Sequence, residues 1–540
     1  MHPLRRTSET TRLRGWQQRA LAQLADWERD PRRPFLISAA PGAGKTRPAL
    51  EFARSQLAAG RAGAIVVACP TAPLTRQWAR AADRLGLDLA PDHDGPRPPA
   101  GFHGVAVTYA RIARAPKRWA GTLPRDTLVI TDEAHHLGED LTWGEAFATA
   151  FAASDRRLLL SGTPFRSDAT PIPGVSYDTA GVAEPDVSFT YAEAVADGVC
   201  RPVRFVAYDG TLSWQSGDDV IEAGFDTVLS TREASRRYRT AISTELPEGL
   251  PRILREADAR LRTIRQDGHR EAGGLVVAAD SGHARQIAKL LHDATGRTPV
   301  VVLHDDKRSA RRLADFTRST EPWIVAVNMV SEGVDIPRLR VGVYATAAKT
   351  AMIFRQIVGR FVRVIPSRPT EPSWLYVPAD PVLRGHATTI ERELSVSLRR
   401  PGETDPAELD EVRAERAQTE PSPEFVPLSA DVASQLTLFG GAEPLPAPAP
   451  PAAGWQTATA DPHPMSQSEP SGRPAFERRA RLREERHRLV SELRRRDGSS
   501  HREINQWLNH KVGITSVEQA TISELERSVD LLMKRLTSRR

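Results

Sequence analysis

Two carboxylates and two histidines follow a short apolar run in the segment ITDEAHHLGED, residues 130–140. The run itself, TLVIT at residues 127–131, is typical of a strand that is buried on both faces. Such a group of side chains is able to bind a metal ion, to act as an acid–base pair, or to form half of a nucleotide site. The side chains expected at the end of this strand are Asp132, Glu133, His135 and His136.

A glycine-rich segment, AAPGAGKT at residues 39–46, follows another apolar run, FLIS at residues 35–38. It fits the phosphate-loop pattern, except that Ala39 occupies the position of the first glycine. The glycines allow backbone N–H groups to turn inward around phosphate oxygens at the start of a helix, where the helix dipole favours an anion. A simple turn is the structural alternative. The residues expected to bind ATP here are Gly42, Ala43, Gly44, Lys45 and Thr46, with Lys45 at the β- and γ-phosphates and the Thr46 hydroxyl on Mg²⁺.

The phosphate loop favours the nucleotide interpretation of the acidic segment. A loop that binds Mg-ATP needs a second acidic strand end to hold the metal and to orient water. We expect Asp132 to bind Mg²⁺, through water, and Glu133 to polarise the attacking water. A zinc site is disfavoured, because adjacent histidines on a turn should diverge and no other His or Cys cluster completes the ligand set.

The order of the motifs resembles that of the superfamily 2 helicases and translocases. DEAH at residues 132–135 follows AAPGAGKT, and the resemblance covers residues 10–385, most of the folded chain. Three segments resemble the DNA translocases most: GVDIP, SGTPFRSD and YAEAVADGVCRPVRF. That group includes motor subunits of type I and type III restriction enzymes and related repair and phage helicases. The other matching segments are LRGWQQRAL (13–21), CPTAPLTRQW (69–78), VTYAR (107–111), SGTPFRSD (161–168), VVAADSGHA (276–284), VNMVSEGVDIPRL (327–339) and FRQIVGRFVR (354–363).

This resemblance implies roles for further residues. Gln17 should contact adenine, and Gly333 and Asp335 should connect the ATP site to a bound strand, although Asp335 as a helix cap is an alternative. The residues expected to couple hydrolysis to the strand are His135, Ser161 and Thr163. The candidate contacts to nucleic-acid phosphates, which position a strand without reading its sequence, are Thr71, Gln77, Thr108 and Arg111.

The segment FRQIVGRFVR has a chemistry of its own. Arg360 and Arg363 lie three residues apart, so on a helix they share one face. Charge develops on the γ-phosphate in the transition state, and the planar guanidinium group stabilises it without losing its own charge. The alternative is that both arginines face solvent on the helix and have no role in catalysis. The expected catalytic set is Lys45, Asp132, Glu133, Gln356, Arg360 and Arg363.

Apolar runs alternate with helical patterns from residue 10 to residue 385, which predicts parallel α/β sheets in two sets. The expected fold class is α/β, with two tandem RecA-like parallel-sheet domains, a helical insertion, a Pro/Ala-rich linker and a small all-α C-terminal module. The expected boundaries are 1–200 for the ATP-binding domain, 201–395 for the second domain with an insertion at about 208–270, 396–475 for a largely disordered linker, and 476–540 for the basic helical module.

The composition fits a soluble protein of two or three domains, with 540 residues, 40% hydrophobic and 26% charged. The net charge of +6 arises in residues 471–540, which contain 17 lysines and arginines against 10 acidic residues. We therefore expect DNA or a partner protein at the C-terminal module. With two cysteines, no signal peptide and no apolar run long enough for a membrane span, a cytoplasmic protein without a membrane partner is expected.

Together these features predict an ATP- and Mg²⁺-dependent DNA helicase or double-stranded DNA translocase. An RNA helicase is one alternative, in which the same ATPase would act on RNA instead of DNA. A nucleotide-gated clamp that binds DNA or a partner with low turnover is another. The complete catalytic set disfavours the clamp, whose function would not need it. We find no convincing nuclease or methyltransferase motif in the sequence.

Overall fold

The computed structural model describes residues 4–5, 12–31, 33–139, 141–162, 172–177, 183–216, 218–303, 306, 308–327, 336–365, 368, 371–398, 425–436, 474–518 and 520–537. These residues form two compact units. The first comprises Met1–Ser38, Gly44–Ser188 and Ala442–Arg540, and the second comprises Ala39–Ala43 and Phe189–Gly441.

The secondary structure alternates between strands and helices through most of the chain. The strands are β1 (Phe35–Ala39), β2 (Ala64–Cys69), β3 (Leu89–Pro91), β4 (Gly104–Thr108), β5 (Thr127–Thr131), β6 (Arg157–Ser161), β7 (Val187–Phe189), β8 (Val203–Ser216), β9 (Asp219–Ala223), β10 (Gly273–Ala278), β11 (Val300–Val302), β12 (Trp323–Val327), β13 (Leu339–Ala345), β14 (Ser373–Pro378) and β15 (Phe425–Leu436). The helices are α1 (Gly15–Trp27), α2 (Thr46–Ala58), α3 (Ala72–Arg84), α4 (Tyr109–Ala113), α5 (Pro116–Thr122), α6 (His136–Glu139), α7 (Leu141–Ala150), α8 (Tyr191–Ala196), α9 (Thr231–Ala241), α10 (Leu250–Gln266), α11 (Ser281–Thr295), α12 (Ser309–Arg318), α13 (Ala351–Phe361), α14 (Pro381–Leu398), α15 (Ala475–Asp497), α16 (His501–Val512) and α17 (Ile522–Thr537).

The sheet of the first unit has the strand order β3-β4-β2-β5-β6-β1-β7. The pairs from β3 to β1 are parallel, and every residue of β2 and β5 is buried, as expected for strands covered on both faces. Strand β6 lies between β5 and β1, with Ser38 in register with Ser161 and Thr131 in register with Leu159. The carboxyl ends of these three neighbouring strands therefore meet at one edge, where ligands bind in open α/β sheets.

The C-terminal helices α15, α16 and α17 form a small bundle that belongs to the first unit. Helix α15 ends at Asp497 and is capped by Gly498 in the left-handed conformation, and a capping box between Ser500 and Glu503 starts α16. Phe476 packs against the buried cluster under β4 and α7, and Arg80 of α3 forms an ion pair with Glu477 at 3.0 Å. The bundle has its own apolar core, which includes Leu489, Leu493, Ile504, Leu508, Val529 and Leu532.

The sheet of the second unit has the order β11-β12-β10-β13-β14-β8-β15, and β9 also pairs with β8. The pairs from β11 to β8 are parallel, whereas β15 and β9 are antiparallel to β8. Two α/β units with parallel sheets and a helical C-terminal bundle confirm the expected fold class.

Two segments differ from the sequence expectation. The insertion expected to be helical over residues 208–270 begins with the β8–β9 pair, and its helices are α9 and α10 only. The linker expected over residues 396–475 contains β15, and α14 runs to Leu398. The physical reason is the 14-residue length of β8, whose backbone groups beyond the parallel sheet pair with β9 on one side and β15 on the other.

Within the described ranges, no helix combines the length and the apolar character that crossing a membrane requires.

Candidate active site

The loop between β1 and α2 has the backbone of a phosphate cradle. Gly42 and Gly44 have φ angles of +86° and +88°, a region that glycine enters without strain. Helix α2 starts at Thr46 directly after Lys45, whose side chain is buried. The loop therefore turns its backbone toward the start of α2, which is the arrangement that receives phosphate oxygens.

Gln17 of α1 contacts this loop directly. Its Nε2 atom donates to the carbonyl oxygen of Gly44 at 3.1 Å, and its Oε1 atom accepts from the backbone N–H of Arg14 at 2.9 Å. The side chain is 5% exposed. Both ends of the amide are thus fixed beside the phosphate loop, and the contact of Gln17 with adenine stays a prediction.

Asp132 follows β5 and is held by two aromatic residues that the sequence analysis did not assign to the site. Trp78 of α3 donates its indole N–H to Asp132 Oδ2 at 2.7 Å, and the Tyr109 hydroxyl donates to the Asp132 carbonyl at 2.5 Å. The Oδ1 atom accepts from the backbone N–H of Glu133 at 3.1 Å. Sequence spacing gives no signal for these contacts, because Trp78 and Asp132 are 54 residues apart.

The environment of Asp132 also changes its protonation. Burial and the neighbouring Glu133 carboxylate raise the pKa of Asp132 to about 6, while the hydrogen bond from Trp78 and the charge of Lys45 act in the opposite direction. The side chain is 6% exposed. At neutral pH the carboxylate is therefore ionised, but its pKa lies close to the working range, which is a feature of functional sites.

Glu133 has a φ of +51°, an uncommon conformation for a residue other than glycine. Its Oε1 atom lies 3.9 Å from Lys45 Nζ and its Oε2 atom lies 3.6 Å from His135 Nδ1. The Glu133 side chain is 30% exposed, so solvent reaches the carboxylate. The left-handed turn thus places a partly exposed carboxylate near the lysine of the phosphate loop, and strain of this kind is often found at functional sites.

His135 connects the acidic segment to the end of β6. Its Nδ1 atom and the Ser161 hydroxyl form a buried hydrogen bond at 3.1 Å. Burial, and secondarily His136, lower the pKa of His135 to about 3, so its ring is neutral. We expected the two histidines to diverge, but their ring centroids are 4.4 Å apart.

Asp132 and Thr46 form a donor set that fits Mg²⁺. They supply a carboxylate and a hydroxyl, the hard oxygen ligands that this ion prefers, and Mg²⁺ commonly takes only one or two protein ligands together with substrate phosphates. The loop itself requires glycine at two positions, since a β-carbon at Gly42 or Gly44 would lie 3.1 Å from a neighbouring side chain. Asp132 and Thr46 would hold the ion, as the sequence predicts.

Arg363 lies against the phosphate-loop residue Gly42, and both belong to the second unit. A β-carbon at Gly42 would lie 3.1 Å from Arg363 Cδ, and one at Gly359 would lie 2.7 Å from Pro41 Cβ. The expected shared helix face is wrong for the two arginines: α13 ends at Phe361, and Arg363 forms an antiparallel bridge with Cys200. The chain leaves the helix there, because Cys200 and the residue after it pair with the segment 362–363.

The other predicted residues of the ATP site are placed as follows. Ala43 is buried in the loop, where its backbone N–H donates to the Ala40 carbonyl at 3.0 Å. Gln356 and Arg360 lie on α13, and both side chains are half-buried. Three predicted residues lie outside the residues that the structure describes, namely Thr163, Gly333 and Asp335.

The four predicted strand contacts have different surroundings. The Thr71 hydroxyl is buried at the start of α3 without a hydrogen-bond partner among the described residues, and Gln77 of α3 is exposed. Thr108 caps α4 by accepting from the backbone N–H of Arg111 at 3.3 Å. The Arg111 side chain pairs with Asp94 at 2.8 Å and also contacts the carbonyl of Asp92. Of these four, Gln77 is the side chain most open to a ligand.

Known proteins resemble this chain in sequence. Residues 10–95 match the family described as "Type III restriction enzyme, res subunit". The Mycobacterium tuberculosis (strain ATCC 25618 / H37Rv) protein "Uncharacterized protein Rv2917" is 44% identical over 441 residues, covering 79% of this chain and 72% of that protein. The Mycobacterium leprae (strain TN) protein "Uncharacterized protein ML1624" is 42% identical over 398 residues, covering 72% of this chain and 65% of that protein.

A solved structure shares the fold. The DNA-bound "ATP-dependent Type ISP restriction-modification enzyme LlaBIII" matches with a TM-score of 0.50 and 15% identity. The match covers 72% of this chain but only 30% of that chain, so the similarity concerns the motor fold alone. The chain belongs to the family of the mycobacterial protein Rv2917, and its residues 10–95 are similar to the family of type III restriction-enzyme res subunits.

Proposed function

We propose that this chain is an ATP-dependent DNA helicase or double-stranded DNA translocase. The observation that carries the proposal is the arrangement of Lys45, Asp132 and Glu133, which follow β1 and β5 at one edge of the sheet. Glu133 Oε1 is 3.9 Å from Lys45 Nζ, and the buried Asp132 carboxylate is fixed by Trp78. A lysine for phosphate, a carboxylate for a metal and a partly exposed base are the groups that ATP hydrolysis requires.

Each residue has a distinct part in the reaction. Lys45 and the backbone N–H groups of the loop bind the phosphates of ATP, the substrate. Asp132 and Thr46 would hold Mg²⁺, which would supply positive charge to the phosphates. Glu133 accepts the proton of the attacking water, and Arg363 stabilises negative charge on the transferred phosphoryl group. Gln17 limits the nucleotide to one whose base suits its fixed amide.

The contact between His135 and Ser161 supports coupling of hydrolysis to movement on a strand. Ser161 ends β6, and the predicted motif continues from it through residues 162–168. A change at Glu133 reaches Ser161 through His135, since these contacts are 3.6 Å and 3.1 Å long. If two states of the protein that bind the strand weakly alternated with each cycle, ATP hydrolysis would drive directional stepping along the strand.

DNA is favoured over RNA as the track by two similarities. Residues 10–95 match a family of restriction-enzyme subunits, and one solved structure with a similar fold is of a restriction-modification enzyme bound to DNA. The basic C-terminal bundle is consistent with DNA binding, because Arg481, Arg488 and Arg495 are exposed at seven-residue intervals on α15. We also propose a cytoplasmic location, which suits two buried cysteines, Cys69 and Cys200, that form no disulfide.

The test is steady-state ATP hydrolysis with no nucleic acid, single-stranded DNA, duplex DNA and RNA. The Lys45→Ala protein provides the blank, since it lacks the phosphate-binding amine. The proposal predicts stimulation by DNA, and the more effective form of DNA identifies the track. Stimulation by RNA alone would replace the DNA motor with an RNA helicase. Rates equal to the blank with every nucleic acid would favour the nucleotide-gated clamp instead.

A further inference from the structure

Arg201 is a buried arginine close to Arg363, the arginine proposed to stabilise the transferred phosphoryl group. The sequence motifs give Arg201 no role. It lies between α8 and β8 and is 3% exposed. Its backbone N–H donates to the Val362 carbonyl at 2.8 Å, and the preceding residue, Cys200, forms an antiparallel bridge with Arg363. The segment containing Arg201 is therefore paired with the chain that leaves α13.

The Arg201 guanidinium joins two predicted motifs of the second unit. Its Nε atom donates to the Arg363 carbonyl at 2.6 Å, and its Nη2 atom donates to the Pro337 carbonyl at 3.4 Å. Pro337 lies in the segment VNMVSEGVDIPRL (327–339), two residues after the predicted ATP-site residue Asp335. The Arg201 side chain thus contacts this segment as well as the segment that contains Arg363.

Arg363 needs such support because it is not part of a helix. Helix α13 ends two residues earlier, at Phe361, so helical hydrogen bonds do not fix the Arg363 backbone. Its side chain nevertheless lies close to Gly42, where a β-carbon would be 3.1 Å from Arg363 Cδ. The position of the guanidinium therefore depends on what holds the backbone of Arg363.

Arg201 remains charged in its buried position. Burial, and then the neighbouring Arg340, lower the pKa of Arg201 to about 10, which still leaves it protonated at neutral pH. A protonated guanidinium makes stronger hydrogen bonds to carbonyl oxygens than a neutral donor does. Retaining a second buried charge close to Arg340 costs stability, and this cost argues for a specific role rather than for packing alone.

We propose that Arg201 is a positioning residue that fixes the Arg363 guanidinium for transition-state stabilisation. This inference rests on the proposed ATP hydrolysis. Loss of the side-chain hydrogen bonds should let the Arg363 backbone shift while the phosphate loop and adenine contacts stay intact. The predicted signature is a lower kcat with an unchanged KM for ATP, because only an interaction made in the transition state is lost.

The experiment compares Arg201→Lys with Arg340→Lys in the full chain. Arg340 is an equally buried arginine of the same region, but it bonds to Glu371, Pro372 and His269 instead of to Arg363. Both variants keep the charge and lose the guanidinium fork, so their thermal stabilities should fall to a similar extent. We expect kcat to fall roughly 10- to 100-fold in Arg201→Lys, by the cost of a misplaced catalytic group, and about twofold at most in Arg340→Lys.

A milder variant covers the case in which Arg201→Lys does not fold. The Tyr191 hydroxyl donates to the Arg201 carbonyl at 2.8 Å and accepts from Val203 N–H, so Tyr191→Phe loosens the segment without removing a charge. It should lower kcat about threefold with KM unchanged. The inference would be overturned if Tyr191→Phe and Arg201→Lys hydrolysed ATP as fast as Arg340→Lys. It would also be overturned if only the KM for ATP changed in these two variants. If the wild-type protein hydrolyses no more ATP than Lys45→Ala, the proposed function fails first and the inference fails with it.

Discussion

Trp78 donates its indole N–H to the Oδ2 atom of Asp132 at 2.7 Å, so a side chain from α3 holds the carboxylate that ends β5. The bond is buried on both sides, since Trp78 is 1% exposed. It opposes the effect of burial on the pKa of Asp132, which lies at about 6. The tryptophan therefore helps keep the candidate metal ligand ionised at neutral pH.

The hydrogen bond from Trp78 to Asp132 predicts how kcat/KM for ATP falls at low pH. In the wild type, kcat/KM for ATP should fall about tenfold per pH unit below pH 6, because Asp132 must be ionised to hold Mg²⁺. Trp78→Phe removes the donor that lowers this pKa, so the acid limb should move to higher pH and the rate at pH 7 should fall. Trp119→Phe, in a buried tryptophan of the same unit without this bond, is the matched control. Superimposable profiles for wild type and Trp78→Phe would contradict the assignment.

The hydrogen bond between His135 and Ser161 predicts a coupling defect. Ser161→Ala removes the hydroxyl, so ATP hydrolysis without nucleic acid should change by about twofold at most, while stimulation by DNA should fall several-fold. Ser154→Ala is the control, because Ser154 is also buried but bonds to the Thr127 carbonyl. The ratio of stimulated to basal rate is the measurement. An unchanged ratio in Ser161→Ala would remove this serine from the coupling path.

Gln17 predicts a selectivity for the base of the nucleotide. Gln17→Ala removes an amide that is fixed between Gly44 and Arg14, so KM for ATP should rise roughly 5- to 10-fold, the effect of about one lost hydrogen bond. The preference for ATP over GTP should weaken in parallel. The neighbouring Gln18, whose amide donates to the Leu13 carbonyl, serves as the control when changed to alanine. Equal KM values for the two variants would exclude the adenine contact.

Arg111 is paired with the exposed Asp94, which predicts competition between this carboxylate and a phosphate. The ion pair is 2.8 Å long, and Asp94 is 83% exposed. Asp94→Asn should tighten DNA binding and steepen its salt dependence, whereas Arg111→Ala should weaken both. Asp26→Asn removes an exposed acid that is paired with Arg29 instead, and it should have no effect. Weaker binding by Asp94→Asn would mean that Asp94 orients Arg111 rather than competes for it.

The regular elements of the site were predictable from local sequence. The runs FLIS and TLVIT lie on β1 and β5, because strands covered on both faces are continuously apolar. The loop after β1 was equally clear, since Gly42 and Gly44 have the positive φ angles that the phosphate-loop pattern requires. Both signals are contained within a few consecutive residues.

What the sequence did not reveal depends on contacts between distant segments. The segment FVPLSADVASQL lacks the apolar continuity of a buried strand, and it becomes β15 only because β8 offers unpaired backbone groups. The end of α13 at Phe361 is set by pairing with Cys200, far away in the chain. The hydrogen bond from Trp78 to Asp132 likewise requires the folded sheet. None of these contacts leaves a periodic pattern.

The most direct test of the central claim is ATP hydrolysis by Glu133→Gln in the presence of DNA, measured together with ATP binding. The substitution keeps the size of the side chain but removes the base, so hydrolysis should fall at least 100-fold, the scale of general-base catalysis. ATP binding should persist, because Lys45 and the phosphate loop are intact. Glu51→Gln, which removes a carboxylate paired with Arg47 on α2, is the control and should hydrolyse ATP normally. A Glu133→Gln protein that hydrolyses ATP at the wild-type rate would contradict the assignment of this site.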